Sequence, residues 1–198
     1  VKDTIRIIDF VKQAANKEEI NLSGSKIIKD LKPLDQFKKL RKLNISSSVI
    51  TDLFPIRNLT TIETLDCSNT MVEDLNPLKY SKSLQELYMD NTPVSSIMVI
   101  ESFDQLKVLH LKQTVIDTIP SLDNLTRLQE LDCSNTNLTT LDSIGRLKSL
   151  INLDFSNTSI TDIRALSNLQ NLENLAFGNT QVMDLEPLQH LKNLDTIF

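Results

Sequence analysis

A short block of alternating apolar and polar residues returns along this chain at nearly constant spacing. Within each block two apolar residues flank one mostly polar residue, as expected for a strand whose side chains point alternately to a core and to solvent. The first two blocks are 23 residues apart and every later step is 22 residues. The blocks lie at residues 20–22, 43–45, 65–67, 87–89, 109–111, 131–133, 153–155 and 175–177. Such a period predicts a solenoid, in which each unit buries its apolar side against its neighbours.

A polar turn, one apolar residue and an acidic residue follow most of these blocks. An Asp before the return segment can accept a hydrogen bond from the first N–H groups of a helix, and a Pro suits its first turn. The residues in these two positions are Asp30, Asp52, Asp74, Asp162 and Asp184, and Pro33, Pro55, Pro77 and Pro187. The pattern predicts a short helical return in each unit.

The complete pattern, LxxLDCSNTxVxDLxPLxxL, resembles the 22-residue leucine-rich repeat of bacterial proteins that is best known from the internalins. The resemblance runs from about Glu19 to Phe198, and DLxPL at residues 74–78 and 184–188 carries much of it. It implies an α/β fold, a right-handed leucine-rich repeat solenoid. The solenoid would have a curved parallel β-sheet on its concave face and short helices or 3₁₀ turns on its convex face. The resemblance also implies a bacterial binding module, with a secreted or cell-surface location favoured and a cytoplasmic one left open.

One column of residues departs from that family. Where the family has Asn at the end of the turn, bonding backbone groups of adjacent turns in a ladder, this chain has a hydroxyl residue. The column is Ser25, Ser48, Thr70, Thr92, Thr114, Thr136, Thr158 and Thr180. A hydroxyl can donate one hydrogen bond and accept others. We therefore expect a hydroxyl ladder between turns, with fewer hydrogen bonds at each step.

Two regions are predicted, an N-terminal helical cap at residues 1–18 and a repeat domain of eight units at residues 19–198. Apolar residues recur at helical spacing within residues 3–16, which favours an end cap over a docking helix for a partner. At the other end, Leu191, Leu194 and Ile197 are in register with the approach to a ninth strand. An uncovered apolar end favours further repeats or another domain after Phe198.

Composition excludes several classes of function. The chain of 198 residues has a formal net charge of −5, which argues against nucleic-acid binding. No apolar run is long enough to span a membrane. Cys67 and Cys133 face inward three repeats apart, roughly 14 Å at the usual strand spacing, so both are predicted to be free, buried thiols. With only two His and two Cys, and no phosphate loop or nucleophile elbow, we predict no metal, cofactor or catalytic residue.

The outward strand residues hold the candidate site. In the two adjacent units at residues 86–90 and 108–112, the repeated motif gives way to Glu86, Tyr88 and Asp90, and to Val108, His110 and Lys112. Exposed aromatic residues are favoured as interface anchors. The alternative is drift on a surface that nothing contacts.

Asp132 and Asp154 form a second candidate, because they are neighbours in the middle column with Glu130 close by. A cation or a basic partner could relieve their repulsion. The alternative is that Asp simply belongs to the duplicated motif, since LDCSNT and LDFSNT both carry it.

The function predicted from these features is non-enzymatic recognition of a protein partner through the concave face. Two alternatives stay open. One is a structural or regulatory repeat array within a larger enzyme or multidomain protein. The other is a surface adhesin or glycan-binding module, for which more aromatic residues than Tyr88 would be expected. The partner and the oligomeric state do not follow from the sequence.

Overall fold

The computed structural model describes residues 16–198. The predicted helix at residues 3–16 lies outside this range apart from its last residue. The described chain forms a solenoid in which a short strand and a return segment alternate.

Nine parallel strands form one sheet in the order of the sequence, each hydrogen-bonded to the next. They are β1 Glu19–Asn21, β2 Lys42–Asn44, β3 Thr64–Asp66, β4 Glu86–Tyr88, β5 Val108–His110, β6 Glu130–Asp132, β7 Asn152–Asp154, β8 Asn174–Ala176 and β9 Thr196–Ile197. Equivalent residues of the repeat pair directly, for example Leu65 with Leu87 and Leu87 with Leu109. The predicted register is confirmed along the whole sheet, including the approach to a ninth strand.

The return segments are 3₁₀ turns of three to five residues. They are Lys32–Gln36, Phe54–Ile56, Asn76–Tyr80, Met98–Ser102, Asp142–Ile144, Arg164–Asn168 and Glu186–Leu188. The predicted Asp hydrogen bonds are confirmed, since each Oδ1 accepts the backbone N–H of the first turn residue at 2.7–2.9 Å, with the Asp one position before the N-cap. No helix within residues 16–198 has the length and apolar character needed to cross a membrane.

The fifth repeat differs, because no 3₁₀ turn forms between β5 and β6. In this repeat Pro120 directly follows Ile119, the residue equivalent to Leu75, which lies in the right-handed helical region in the third repeat. A proline disfavours that region for the residue before it. The early proline accounts for the missing 3₁₀ turn, although Leu125 N–H still donates to the Leu122 carbonyl at 2.8 Å further along the segment.

The core lies between the strands and the return segments. The middle residue of every strand from β1 to β8 is buried, as are Leu78 in the third return segment and Leu84 just after it. Cys67 and Cys133 are buried and free, as predicted. Burial raises the pKa of both thiols, that of Cys67 to about 12, and nearby Asp carboxylates add to the effect.

The expectation of a hydroxyl ladder between turns is corrected by the hydrogen bonds. From the third repeat onward, each Thr hydroxyl donates to the carbonyl three residues earlier in its own turn, as Thr70 does to Cys67 at 2.6 Å. Bonds between turns come instead from backbone groups and from the preceding Asn column. Asn91 Nδ2 donates to Asn69 Oδ1 at 3.0 Å. The Asn column also suits the backbone, because Asn69 and Asn91 have φ of 56° and 52°, a region that Asn tolerates well.

Candidate functional site

The first and last residues of each strand point away from the core and form a surface that we call the sheet face. On this face, β4 and β5 are in register, so that Glu86 lies beside Val108 and Tyr88 beside His110. All four side chains are half-buried. The strands thus bring the predicted residues of two repeats into one patch.

Tyr88 and His110 form an aromatic pair at the centre of this patch. Their ring centroids are 4.9 Å apart and the ring planes are inclined by 75°, an edge-to-face arrangement. Such pairs are favourable beyond the area that they bury. The contact fixes both rings on the sheet face.

His110 lies between two carboxylates. Its Nε2 is 2.7 Å from Glu130 Oε1, and its Nδ1 is 3.8 Å from Asp90 Oδ2. Burial by itself lowers the pKa of His110, but the two carboxylates outweigh this effect and raise the pKa to about 9. At neutral pH the imidazole is therefore charged; its Nε2–H donates to Glu130, and Asp90 is close enough for an ion pair.

The surrounding acids are held by neighbouring strands. Glu86 accepts a hydrogen bond from the hydroxyl of Thr64 at 3.2 Å, and the Tyr88 hydroxyl lies 3.5 Å from the same carboxylate. Asp90 accepts the backbone N–H of Lys112 at 2.9 Å. Burial and the charges of Glu86 and Glu130 raise the pKa of Tyr88 to about 12, so it stays a neutral donor.

We call Glu86, Tyr88, Asp90, His110 and Glu130 the Tyr88–His110 cluster. Four of its five members were among the predicted site residues, and Glu130 was missed as a partner of His110. The signal was the diagonal position of Glu130, which starts the strand next to His110 and lies within reach of a long side chain.

The remaining predicted residues have other roles. Val108 lies between Glu86 and Glu130 in the first column, and the side chain of Lys112 is exposed while its N–H binds Asp90. Asp132 and Asp154 are neighbours, as predicted. Each uses Oδ1 to accept the N–H two residues later, at 2.9 and 2.8 Å. These bonds favour the interpretation that the two Asp residues belong to the repeated turn.

Two shallow depressions of the sheet face lie on either side of the aromatic pair. Tyr88 borders one of about 250 Å³, whose lining also includes Lys42, Asn44, Thr64 and Asp66. His110 borders the other, of about 290 Å³, whose lining includes Glu130, Asp132, Asp154, Ala176 and Phe198. The cluster is therefore a ridge between two depressions.

The arrangement offers a cation, three carboxylates and an aromatic edge at fixed positions. Such groups can orient a bound partner by hydrogen bonds and charge. Among residues 16–198, no group of three or more His, Cys, Asp or Glu side chains is arranged to hold a metal ion.

Comparison with known proteins agrees with this geometry. The leucine-rich-repeat family described as "Leucine Rich repeats (2 copies)" matches residues 104–146 and 148–193, less than half of the chain. No curated protein sequence matches the chain.

Solved structures of similar fold include internalins of Listeria monocytogenes. Internalin C2 is 25% identical with a TM-score of 0.89, covering 96% of this chain and 91% of its own. Internalin F is 21% identical with a TM-score of 0.79, covering 94% of this chain and 62% of its own. This chain thus spans less than two thirds of internalin F. A plant peptide hormone receptor, RGFR1 in complex with RGF2, is 22% identical with a TM-score of 0.78, covering 91% of this chain and 32% of its own.

The fold is a leucine-rich-repeat solenoid of the internalin-like kind. Proteins with this fold generally act as modules that bind other proteins.

Proposed function

We propose that this chain is a non-enzymatic recognition module that binds a protein partner through the sheet face, with the Tyr88–His110 cluster at the centre of the interface. The observation that carries the proposal is the edge-to-face pair of Tyr88 and His110 on the adjacent strands β4 and β5, with His110 placed between the carboxylates of Asp90 and Glu130. Interface energy concentrates in a few residues, among which tyrosine is enriched.

Preorganisation supports this role. Side chains that are already ordered lose little conformational entropy when a partner binds. Here Tyr88 is held by His110, and His110 is held by Glu130 at 2.7 Å. A partner that docks on this ridge meets groups whose positions and charges are set before contact.

The depressions on either side of the ridge support an interface that extends along the solenoid axis. They add residues from β1 to β3 on one side and from β6 to β8 on the other. The plant receptor of similar fold, whose structure contains the ligand RGF2, is consistent with ligand recognition by this architecture.

Photocrosslinking tests the proposal with a control that the chain itself supplies. The sequence contains two Tyr and two His. Tyr88 and His110 lie on the sheet face, whereas Tyr80 is exposed in the third return segment and His190 is exposed just after the last one. Benzoylphenylalanine in place of Tyr88 should capture a protein partner, and the same group in place of Tyr80 should not.

The captured partner is then measured against two double variants. Tyr88→Ala/His110→Ala should weaken its binding by about tenfold or more, the range expected for interface anchors. Tyr80→Ala/His190→Ala should leave the dissociation constant unchanged. A partner captured equally from both positions, or bound unchanged by the Tyr88/His110 variant, would contradict the assignment of this face.

A further inference from the structure

The surface beside the sheet carries apolar side chains in four consecutive repeats. In the second to fifth repeats, the residue after each buried turn hydroxyl is apolar and at least partly exposed. We call these four residues the lateral stripe: Val49, Met71, Pro93 and Val115. Met71 is 63% exposed and Val115 is 52% exposed. The stripe is thus an apolar row that faces solvent.

The fold does not require this apolar character. In the sixth to eighth repeats the same position holds Asn137, Ser159 and Gln181, which are also exposed. The adjoining turn is unchanged, because Thr136 and Thr92 both donate to the carbonyl three residues earlier at 2.7 Å. The later repeats therefore serve as an internal control, and the stripe needs an explanation other than folding.

The spacing of the stripe matches one face of an α-helix. Stacked repeats are about 4.8 Å apart, so four repeats span roughly 14 Å. The Asn91–Asn69 hydrogen bond, two residues before Pro93 and Met71, holds two of these turns side by side. A helix rises 1.5 Å per residue, so residues three or four apart advance by about 4.5–6 Å. A helix of about three turns lying parallel to the solenoid axis would place one apolar side chain on each repeat.

The charges beside the lateral stripe indicate which charge a partner should carry. Four carboxylates lie on the return side of the stripe, and none of them forms an ion pair within residues 16–198: Asp52, Glu73, Asp74 and Asp117. The segments that carry the stripe, residues 47–52, 69–74, 91–96 and 113–118, contain no Lys or Arg. A cation from outside them, Lys26 of the first repeat, reaches the end of the stripe, where its ammonium donates to the Ser47 carbonyl. Glu73 and Asp74 also line a depression of about 290 Å³ with Met98. The border of the stripe thus favours a cationic ligand.

We propose that the lateral stripe binds a cationic amphipathic helix of a partner protein. The apolar face of the helix packs on Met71 and its neighbours, and Lys or Arg residues on its flank face Glu73 and Asp117. Each subunit of a stable complex buries roughly 600–1,000 Å². A single row of four side chains offers a smaller area than that, which favours a helix over a second copy of this chain. The proposal does not depend on the Tyr88–His110 cluster.

Two synthetic fluorescent peptides of about 14 residues test the proposal by fluorescence anisotropy. One carries Leu at positions spaced three and four apart with Lys on both flanks, and the other replaces every Lys by Glu. The Lys peptide should bind the whole chain in a saturable manner, and the Glu peptide should bind at least about tenfold more weakly, because like charges face each other.

Three variants locate the binding surface. Val49→Ser/Met71→Ser/Val115→Ser copies the polar character of the later repeats and should weaken binding of the Lys peptide by about tenfold. Glu73→Lys/Asp117→Lys leaves two carboxylates and two ammonium groups beside the stripe, so it should remove most of the preference for the Lys peptide. Asn137→Val/Ser159→Met extends the stripe to six repeats and should strengthen binding of a lengthened Lys peptide by about threefold or more.

The outcomes separate this proposal from the one for the sheet face. Tyr88→Ala/His110→Ala should bind the Lys peptide as the unaltered chain does. Because the substituted stripe residues are exposed, the variants should keep their melting temperatures, which circular dichroism verifies. Failure of the Lys peptide to saturate, equal binding of both peptides, or undiminished binding by the triple Ser variant would overturn the proposal.

Discussion

Strands β4 and β5 and strands β6 and β7 share one core but present different surfaces to solvent. Leu87 and Leu109 are fully buried, as are Leu131 and Leu153 to within 2%. On the sheet face, the first pair of strands carries the aromatic pair of Tyr88 and His110, whereas the second pair carries two Asp residues that bond their own turns.

The comparison separates the buried residues, which fold the chain, from the surface residues, which differ between repeats. The family match begins at residue 104. Most of the lateral stripe and the whole of β4 lie before it. Residues 116–182, all of them described, contain no exposed large hydrophobic residue, whereas Met71, Met98 and Val115 are exposed before them. In a repeat protein, a surface position that does not contribute to folding can change in one repeat without disturbing the next.

The largest expected effect concerns the inward Cys position, which should tolerate substitution equally poorly in both regions. Cys67→Asp places a charge in the core and should cost at least about 3 kcal/mol of unfolding free energy. Cys67→Leu should cost about 1–2 kcal/mol, because the same column holds the larger Ile45 and Met89. Urea denaturation measures both, and Cys133 gives the matched pair. Equal melting temperatures for the Asp and Leu variants would contradict the inward assignment.

A second test asks whether the two regions contribute equally to stability. Leu109→Ala and Leu131→Ala each remove a fully buried side chain and should each cost about 2–5 kcal/mol. Because both residues pair with Leu in the neighbouring strands of the sheet, the two costs should agree within about 1 kcal/mol. A much smaller cost at Leu109 in urea denaturation would mean that β5 is packed less well than β6.

The third prediction separates the regions by pH. The folded-state pKa of His110 is about 9, above the usual unfolded value of about 6.5. Its stabilisation is therefore complete below about pH 6.5 and is lost as the pH rises through 9. After allowance for solvent screening, we expect a loss of about 1–2 kcal/mol. In β6 and β7 the position equivalent to His110 holds Asp132 and Asp154, so these strands have no such histidine.

Denaturation at several pH values, with His110→Gln as the control, measures this loss. The Gln variant should be less stable at pH 6 and should change less between pH 6 and pH 9.5. An identical pH profile for the variant would show that the ion pairs with Glu130 and Asp90 do not stabilise the fold.

The smallest expected effect is on the lateral surface. Met71→Ser and the reciprocal Ser159→Met exchange residues between the two regions at an exposed position. Each should change the unfolding free energy by less than about 0.5 kcal/mol. A loss of more than about 1 kcal/mol for Met71→Ser in thermal denaturation would show that the stripe serves folding and would weaken the case for a bound helix.

By itself, the sequence determined the order and register of the strands, the buried thiols and the Asp hydrogen bonds at the return turns. It also placed Tyr88 and His110 on the same face of neighbouring strands. These features follow from two periods, one of two residues along a strand and one of 22 residues along the chain. Both periods are visible in the sequence itself.

Only the tertiary structure decided which groups bond to which. Thr70 and its equivalents bond within their own turns, and Glu130 bonds to His110 across a diagonal. Pro120 removes one return turn that the repeat pattern predicted. A repeat period specifies which positions stack, but it does not specify the direction in which a polar side chain turns among several acceptors within reach. That choice depends on distances and angles that exist only once the repeats are packed together.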